Sequence, residues 1–143
     1  GEPSFSVELR SEGKEDGQVI AGSYALEAID LNDVEKFGDN EVMPAKAVLG
    51  HELKEQETKQ RKKLGSWQYD QAHTEGKRAE RRITGWARDS ERAEPGAYQD
   101  SRGRVSGTVN LSFTNEGRRA TVRMSVVNSN VTSVSVKIEN PKK

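Results

Sequence analysis

The stretch AVLGHELKEQETKQRKKLGSWQYDQAHTEGKRAE, Ala47–Glu80, decides how the rest of the chain is read. It carries both histidines of the protein, His51 and His73, each placed where a helical repeat turns it toward an apolar face. Gly65 and Ser66 interrupt the pattern: Gly65 is suited to end one helix in a left-handed conformation and Ser66 to cap the next. Extended outward, the first helix is expected from about Glu41 to Leu64, with Asn40 as its N-cap and Pro44 in its first turn. The second is expected to run to about Thr84 and stop at Gly85. So short a connection makes residues 41–84 an antiparallel helical hairpin, with the KQRKK end of the first helix, Lys59–Lys63, prone to fray.

With Val48 as zero on the helical wheel, Ala45, Leu49 and Leu53 lie at roughly 60°, 100° and 140°, and Glu52, Glu55 and His51 at roughly 40°, −20° and −60°. This sets Glu52 in the apolar stripe, flanked by His51 and Glu55. On the second helix Tyr69, Ala72, His73, Gly76, Ala79, Glu80 and Ile83 form the i, i+3, i+4, i+7 series, which centres His73 and Glu80 on its buried face.

The flanking segments read as strands. Phe5, Val7 and Leu9 alternate with polar residues, SEGKEDG (Ser11–Gly17) has the composition of a hairpin loop, and Ile20, Tyr24, Leu26 and Ala28 share parity around a bulge at Gly22. Residues 4–30 are therefore expected as an antiparallel strand pair, followed by a short helical turn and loop over Leu31–Asn40. Residues 86–103 turn to Arg, Asp, Glu, Ser, Pro and Gly with isolated Trp86 and Tyr98, the composition of a loop that pins one aromatic onto the helices. Residues 104–139 alternate cleanly in three segments separated by TNEG and NSN, a β-meander. Its buried face should carry Val109, Leu111, Val122, Met124, Val134 and Val136. The tail, 140–143, is expected to be disordered. The order describes one α+β domain over 1–143, in which the helical hairpin covers an antiparallel sheet.

Composition narrows the classes. The chain has 143 residues, of which 31% are hydrophobic and 32% charged; 23 basic side chains balance 23 acidic ones. A balanced charge supplies no global field for nucleic acid or an anionic membrane, and the apolar runs are too short to span a bilayer. The absence of cysteine excludes disulfides and thiolate metal sites. The opening Gly1 and the lack of a visible signal peptide are what a piece of a larger or processed protein would show. NLS at Asn110 and NVT at Asn130 match glycosylation acceptors but lie in or beside expected strands.

A carboxylate in an apolar helix interface is costly unless something pairs with it. The economical partners for His51, Glu52, Glu55, His73 and Glu80 are one another, with or without a metal ion. The HELKE segment, His51–Glu55, resembles the HExxH helix of zincin metallopeptidases, in which two His bind zinc and the intervening Glu activates water. It is also similar to the small HE-type, peptidase-like domains of bacterial polymorphic toxins. The resemblance covers Val48–Glu80, about a quarter of the chain, and Glu55 stands where the family has its second His. It implies a Zn2+-dependent hydrolase acting on protein or peptide, delivered as a secreted effector, with Glu52 as general base. His51, Glu55 and His73 or Glu80 would be the metal ligands.

Two other classes stay open. One is a non-catalytic, protein-binding module whose helices are docked by a buried His/Glu network. The other is a metal-independent nuclease using both His and the basic clusters Lys59–Lys63 and Lys77–Arg82. Interleaved Glu and Gln without stacking aromatics make those clusters solvated helix faces instead, and a monomer without nucleic acid is the expectation.

Overall fold

The computed structural model describes residues 5–10 and 20–139. The loop expected at Ser11–Gly17 and the tail 140–143 lie outside the described residues. In chain order the elements are β1 (Glu8–Arg10), β2 (Gly22–Ser23), β3 (Ala28–Asp30), α1 (Leu31–Lys36), α2 (Ala45–Arg61), a 3-10 turn (Ser66–Gln68) and α3 (Tyr69–Thr84). They are followed by β4 (Ala87–Ala93), β5 (Tyr98–Gln99), β6 (Val105–Asn115), β7 (Arg118–Val127) and β8 (Asn130–Glu139). This is the α+β fold: α2 and α3 pack on each other as a hairpin beside an antiparallel sheet. No helix among the described residues is long and apolar enough to cross a membrane.

The large sheet runs β4-β6-β7-β8, with β5 also pairing with β6. The meander forms as its alternation requires: Leu111, Phe113, Ala120, Val122, Met124 and Val126 are buried, while Val109, Val134 and Val136 are partly buried against them. Both hairpins turn through two left-handed residues, Glu116 and Gly117 in one and Asn128 and Ser129 in the other, the geometry that matches strand twist.

Half of the expected loop 86–103 is instead strand. β4 pairs with β6 from Ala87↔Thr114 to Ala93↔Val109, with a shift between Arg88 and Ser90. Its residues are nearly all polar because the strand lies at the sheet edge, so period-two hydrophobicity could not reveal it. Trp86 does anchor the segment, buried at 1% exposure in the core.

The N-terminal pair also differs from expectation. β1 pairs with β3 in parallel, and β2 pairs with β3 antiparallel, making a separate small sheet in the order β1-β3-β2. The buried Asp33 carboxylate joins this sheet to the large one, accepting from Ala21 N at 2.9 Å and from Val131 N at 2.9 Å.

The helix ends were displaced by local chemistry. Asn40 caps the turn ahead of α2, accepting from Val42 N and Met43 N, while Pro44 is the N-cap itself. Lys63, not Gly65, takes the left-handed conformation after α2; Gly65 is extended and holds the side chain of Gln68. Gly85 ends α3 in the left-handed region, φ 82°, as expected.

Candidate metal centre

The buried face of α2 is Ala47, Val48, His51, Glu55, Gln56 and Thr58, with Leu49, Glu52 and Leu53 half-buried at its border. The wheel therefore needs rotating: His51 and Glu55 occupy the centre of the stripe, and Glu52 flanks it. On α3 the buried residues are Ala72, Gly76 and Glu80. Ile83, expected inside, is 44% exposed.

Gly76 lets the helices meet at His51. A Cβ there would fall 2.7 Å from His51 Cδ2 and 2.9 Å from its backbone carbonyl oxygen. That close approach brings three potential ligand atoms together. His51 Nε2 is 3.1 Å from Glu55 Oε2 and 3.2 Å from His73 Nδ1, and His73 Nδ1 is 3.3 Å from Glu55 Oε2. These atoms form an almost equilateral triangle. Tetrahedral ligands held ~2.0–2.1 Å from one ion are separated from each other by roughly 3.3 Å, so the triangle has the edge length of such a site. His51, Glu55 and His73 can hold a metal ion. Ligation to His51 Nε2, His73 Nδ1 and Glu55 Oε2 would leave a fourth position free.

Glu80 is not part of the triangle. It stands behind His51, whose Nδ1 donates to Glu80 Oε1 at 3.1 Å, and the same oxygen accepts from Arg88 Nη2. A carboxylate on the far ring nitrogen fixes the tautomer that turns Nε2 toward the triangle. Tyr69 closes the outer side: its hydroxyl is 3.1 Å from His73 Nδ1 and its ring stacks on His73 at 5.1 Å.

Glu52 borders the same cleft. β2 passes over it so closely that a Cβ on Gly22 would collide with the Glu52 carboxylate. The β2 segment is held there from α2, with Gln56 Nε2 donating to Ser23 O and Lys59 Nζ donating to Tyr24 O. Lys59 thus serves the segment that follows β2.

The protonation states follow from this geometry. Burial disfavours a charge on His51, but hydrogen bonds to Glu55 and Glu80 outweigh it and raise its pKa to about 9. Glu55 is pulled below the ordinary carboxylate value: burial opposes this, and hydrogen bonds from His51 and His73 prevail. Glu80 is lowered likewise by His51 and Arg88 against its burial. Glu52 goes the other way, to about 7, because burial and then the charge of Glu55 penalise its ionised form. Tyr69 is raised by burial and by Glu55. Without an ion, then, His51 is an imidazolium clasped between two carboxylates.

The structure brings together His51, Glu55 and His73, places Glu80 behind them and Glu52 beside them. Sequence reasoning missed Arg88, Glu91 and the role of Tyr69. Arg88 and Glu91 both line the cleft because the β4 irregularity sets Arg88 opposite Phe113 and Glu91 opposite Leu111, two inward-facing residues of β6. In an unbulged strand, residues three apart would face opposite ways. Tyr69 carried a signal, since it stands one helical turn before His73. No family model, curated protein or solved structure matches the chain.

Proposed function

We propose that the protein is a zincin-like, metal-dependent hydrolase of amide or ester bonds, with zinc held by His51 Nε2, His73 Nδ1 and Glu55 Oε2. The observation that carries this reading is the triangle of ligand atoms, edges 3.1–3.3 Å, backed by Glu80 on the far nitrogen of His51. Two neutral imidazoles and one carboxylate leave a divalent ion with net positive charge and an open position. The bound ion supplies Lewis acidity, polarising a carbonyl and making a water easier to deprotonate. HELKE then resembles the HExxH helix with one exchange: Glu55 replaces the second His of the helix, and His73 on α3 supplies the second imidazole.

Glu52 fits the general base. It lines the same cleft as the three ligand atoms, and a carboxylate there can both take and return a proton. It takes the proton of the attacking water as the oxygen bonds to the carbonyl carbon. The bond to the departing nitrogen or oxygen breaks, and Glu52 passes the proton to that leaving atom. The Tyr69 hydroxyl lies 3.1 Å from His73 Nδ1, and ligation of that nitrogen would release it to donate to the carbonyl oxygen as charge builds there.

The test is metal content and hydrolysis of a fluorogenic peptide and p-nitrophenyl ester panel by zinc-loaded protein. Glu52→Gln is expected to keep the metal and lose turnover by at least ~100-fold, the scale of general-base catalysis. His51→Ala and His73→Ala are expected to lose the metal itself. A folded wild type that takes up no zinc, or a His variant with wild-type zinc content, overturns the reading. The network would then serve only to dock α2 on α3.

A further inference from the structure

The cleft at the His/Glu group continues inward to an apolar chamber lined by Phe37, Met43, Val48, Val109, Leu111 and Met124. All six belong to the main core or pack directly on it. Protein cores are packed to crystal density and leave few voids larger than a water molecule. The whole cleft, titratable groups and apolar walls together, encloses about 300 Å3 between the helices and the sheet and is open to solvent on one side, the form of a binding cleft. Its volume matches the small end of ligand sites, roughly 300–1,000 Å3, and suits one apolar chain rather than an extended polymer segment.

We infer that the chamber receives the apolar group carried next to the hydrolysed carbonyl of the substrate, so that the carbonyl itself comes to lie at the His51–Glu55–His73 triangle. This rests on the hydrolase reading above and adds its substrate class. The polarity of the lining decides it: His51, Glu55, His73, Glu80 and Arg88 are hydrogen-bonded into one group with Glu52 beside it, while the six apolar side chains belong to the main core or pack on it. A ligand that satisfies both parts has a polar, metal-binding head and a hydrocarbon tail, because the six apolar side chains offer a charged tail no partner and Glu91, the exposed carboxylate across from Leu111, disfavours an anionic one. Met43 and Met124, unbranched and adaptable, let the walls accept chains of differing shape. A short fatty-acyl group and a large aliphatic side chain of a peptide share this chemistry.

Binding of hydroxamates to the zinc-loaded protein, followed by calorimetry, tests it. Acetohydroxamate offers the head alone, 4-methylpentanohydroxamate a branched tail like that of leucine, and octanohydroxamate a linear one. At least one tailed probe is expected to bind ten-fold tighter or more than acetohydroxamate; preference for the branched probe assigns a peptide side chain, preference for the linear one an acyl chain. Val109→Phe, which fills the chamber from its half-buried β6 position, is expected to erase the preference while leaving zinc content and acetohydroxamate affinity unchanged. Met124→Ala, which enlarges the chamber, should move the preference toward the longer tail and covers the case in which Val109→Phe does not fold. Equal affinity for all three probes in a protein that binds zinc and acetohydroxamate overturns the chamber while the metal reading stands. Failure of the folded protein to take up zinc overturns both.

Discussion

His51 Nε2 and His73 Nδ1, from residues 22 apart in the chain, lie 3.2 Å from each other across the α2–α3 interface, and Glu55 Oε2 sits within 3.3 Å of both. Three ligand atoms this close, two of them from imidazoles, are arranged either around shared protons or around an ion.

Gly76→Ala should weaken metal binding as well as stability. The new methyl would sit 2.9 Å from the His51 backbone oxygen, which cannot move aside without shifting α2. A loss of about 1–3 kcal/mol is expected for such overpacking. Gly85→Ala, strained at φ 82° but remote from the triangle, should cost about 1 kcal/mol and leave zinc affinity alone. Urea denaturation and competition with a chromophoric chelator measure the two effects; equal zinc affinity in both variants would detach Gly76 from the site.

Glu80→Gln should lower zinc affinity by about 10–100-fold without abolishing binding, since Glu80 orients His51 and does not touch the ion. Glu55→Ala removes a ligand and should bind far more weakly still. If Glu80→Gln loses zinc as fully as Glu55→Ala, Glu80 is a ligand and the triangle is wrongly assigned.

The metal-free protein should lose stability as pH rises from about 5 to 9. His51 has a folded pKa of about 9 against its ordinary 6.5, and Glu52 about 7 against 4.5. Both bind protons more tightly folded than unfolded. The stability from His51 is complete below its unfolded value and gone above about 9; that from Glu52 is complete below its unfolded value and gone above about 7. Glu55 and Glu80 act oppositely, their contribution disappearing as pH falls through their lowered values. The His51 contribution is on the order of 3 kcal/mol. Zinc competes with the Nε2 proton, so the rise in Tm on adding zinc should grow with pH. Calorimetry from pH 5 to 9, with chelator and with zinc, checks both trends, and a chelated protein most stable at pH 9 would contradict the imidazolium clasp.

Val122→Asp should unfold the domain, whereas Arg123→Asp should not. Val122 is fully buried, and a carboxylate there would find no partner, at a cost of several kcal/mol. Arg123 faces solvent on the other side of β7, where it pairs with Glu94, and an exposed pair of this kind contributes little to stability. Circular dichroism of the two variants decides it; equal tolerance would mean that the register of β7 is off by one.

How far each feature could be read from the sequence depended on whether its signal was local. The meander was legible because Val122, Met124 and Val126 alternate with polar residues and the turns TNEG and NSN bracket the strands. β4 was not, because an edge strand of ARDSERA has no apolar face to alternate. The parallel β1·β3 pairing was hidden for another reason: nothing in either strand encodes direction, and a sequential hairpin is the default when the connection is unknown. Within the site, the i, i+4 relation of His51 and Glu55 was readable from spacing alone.

The sequence by itself determined that α2 and α3 exist, that they return on each other, and that Glu52, flanked by His51 and Glu55, and His73 with Glu80 ride on or beside their inner faces, since helical periodicity is a property of consecutive residues. Only the tertiary structure decided what those groups do to one another. A rotation of α2 by a fraction of a turn exchanged the places of Glu52 and His51, and one glycine, Gly76, set the distance at which two imidazoles meet. The bulge in β4 turned Arg88 inward to Glu80, which settles which carboxylate orients His51 and which completes the triangle. Roles at this site depend on differences of one or two ångströms between segments far apart in the chain, and such distances arise from packing, which no single segment encodes.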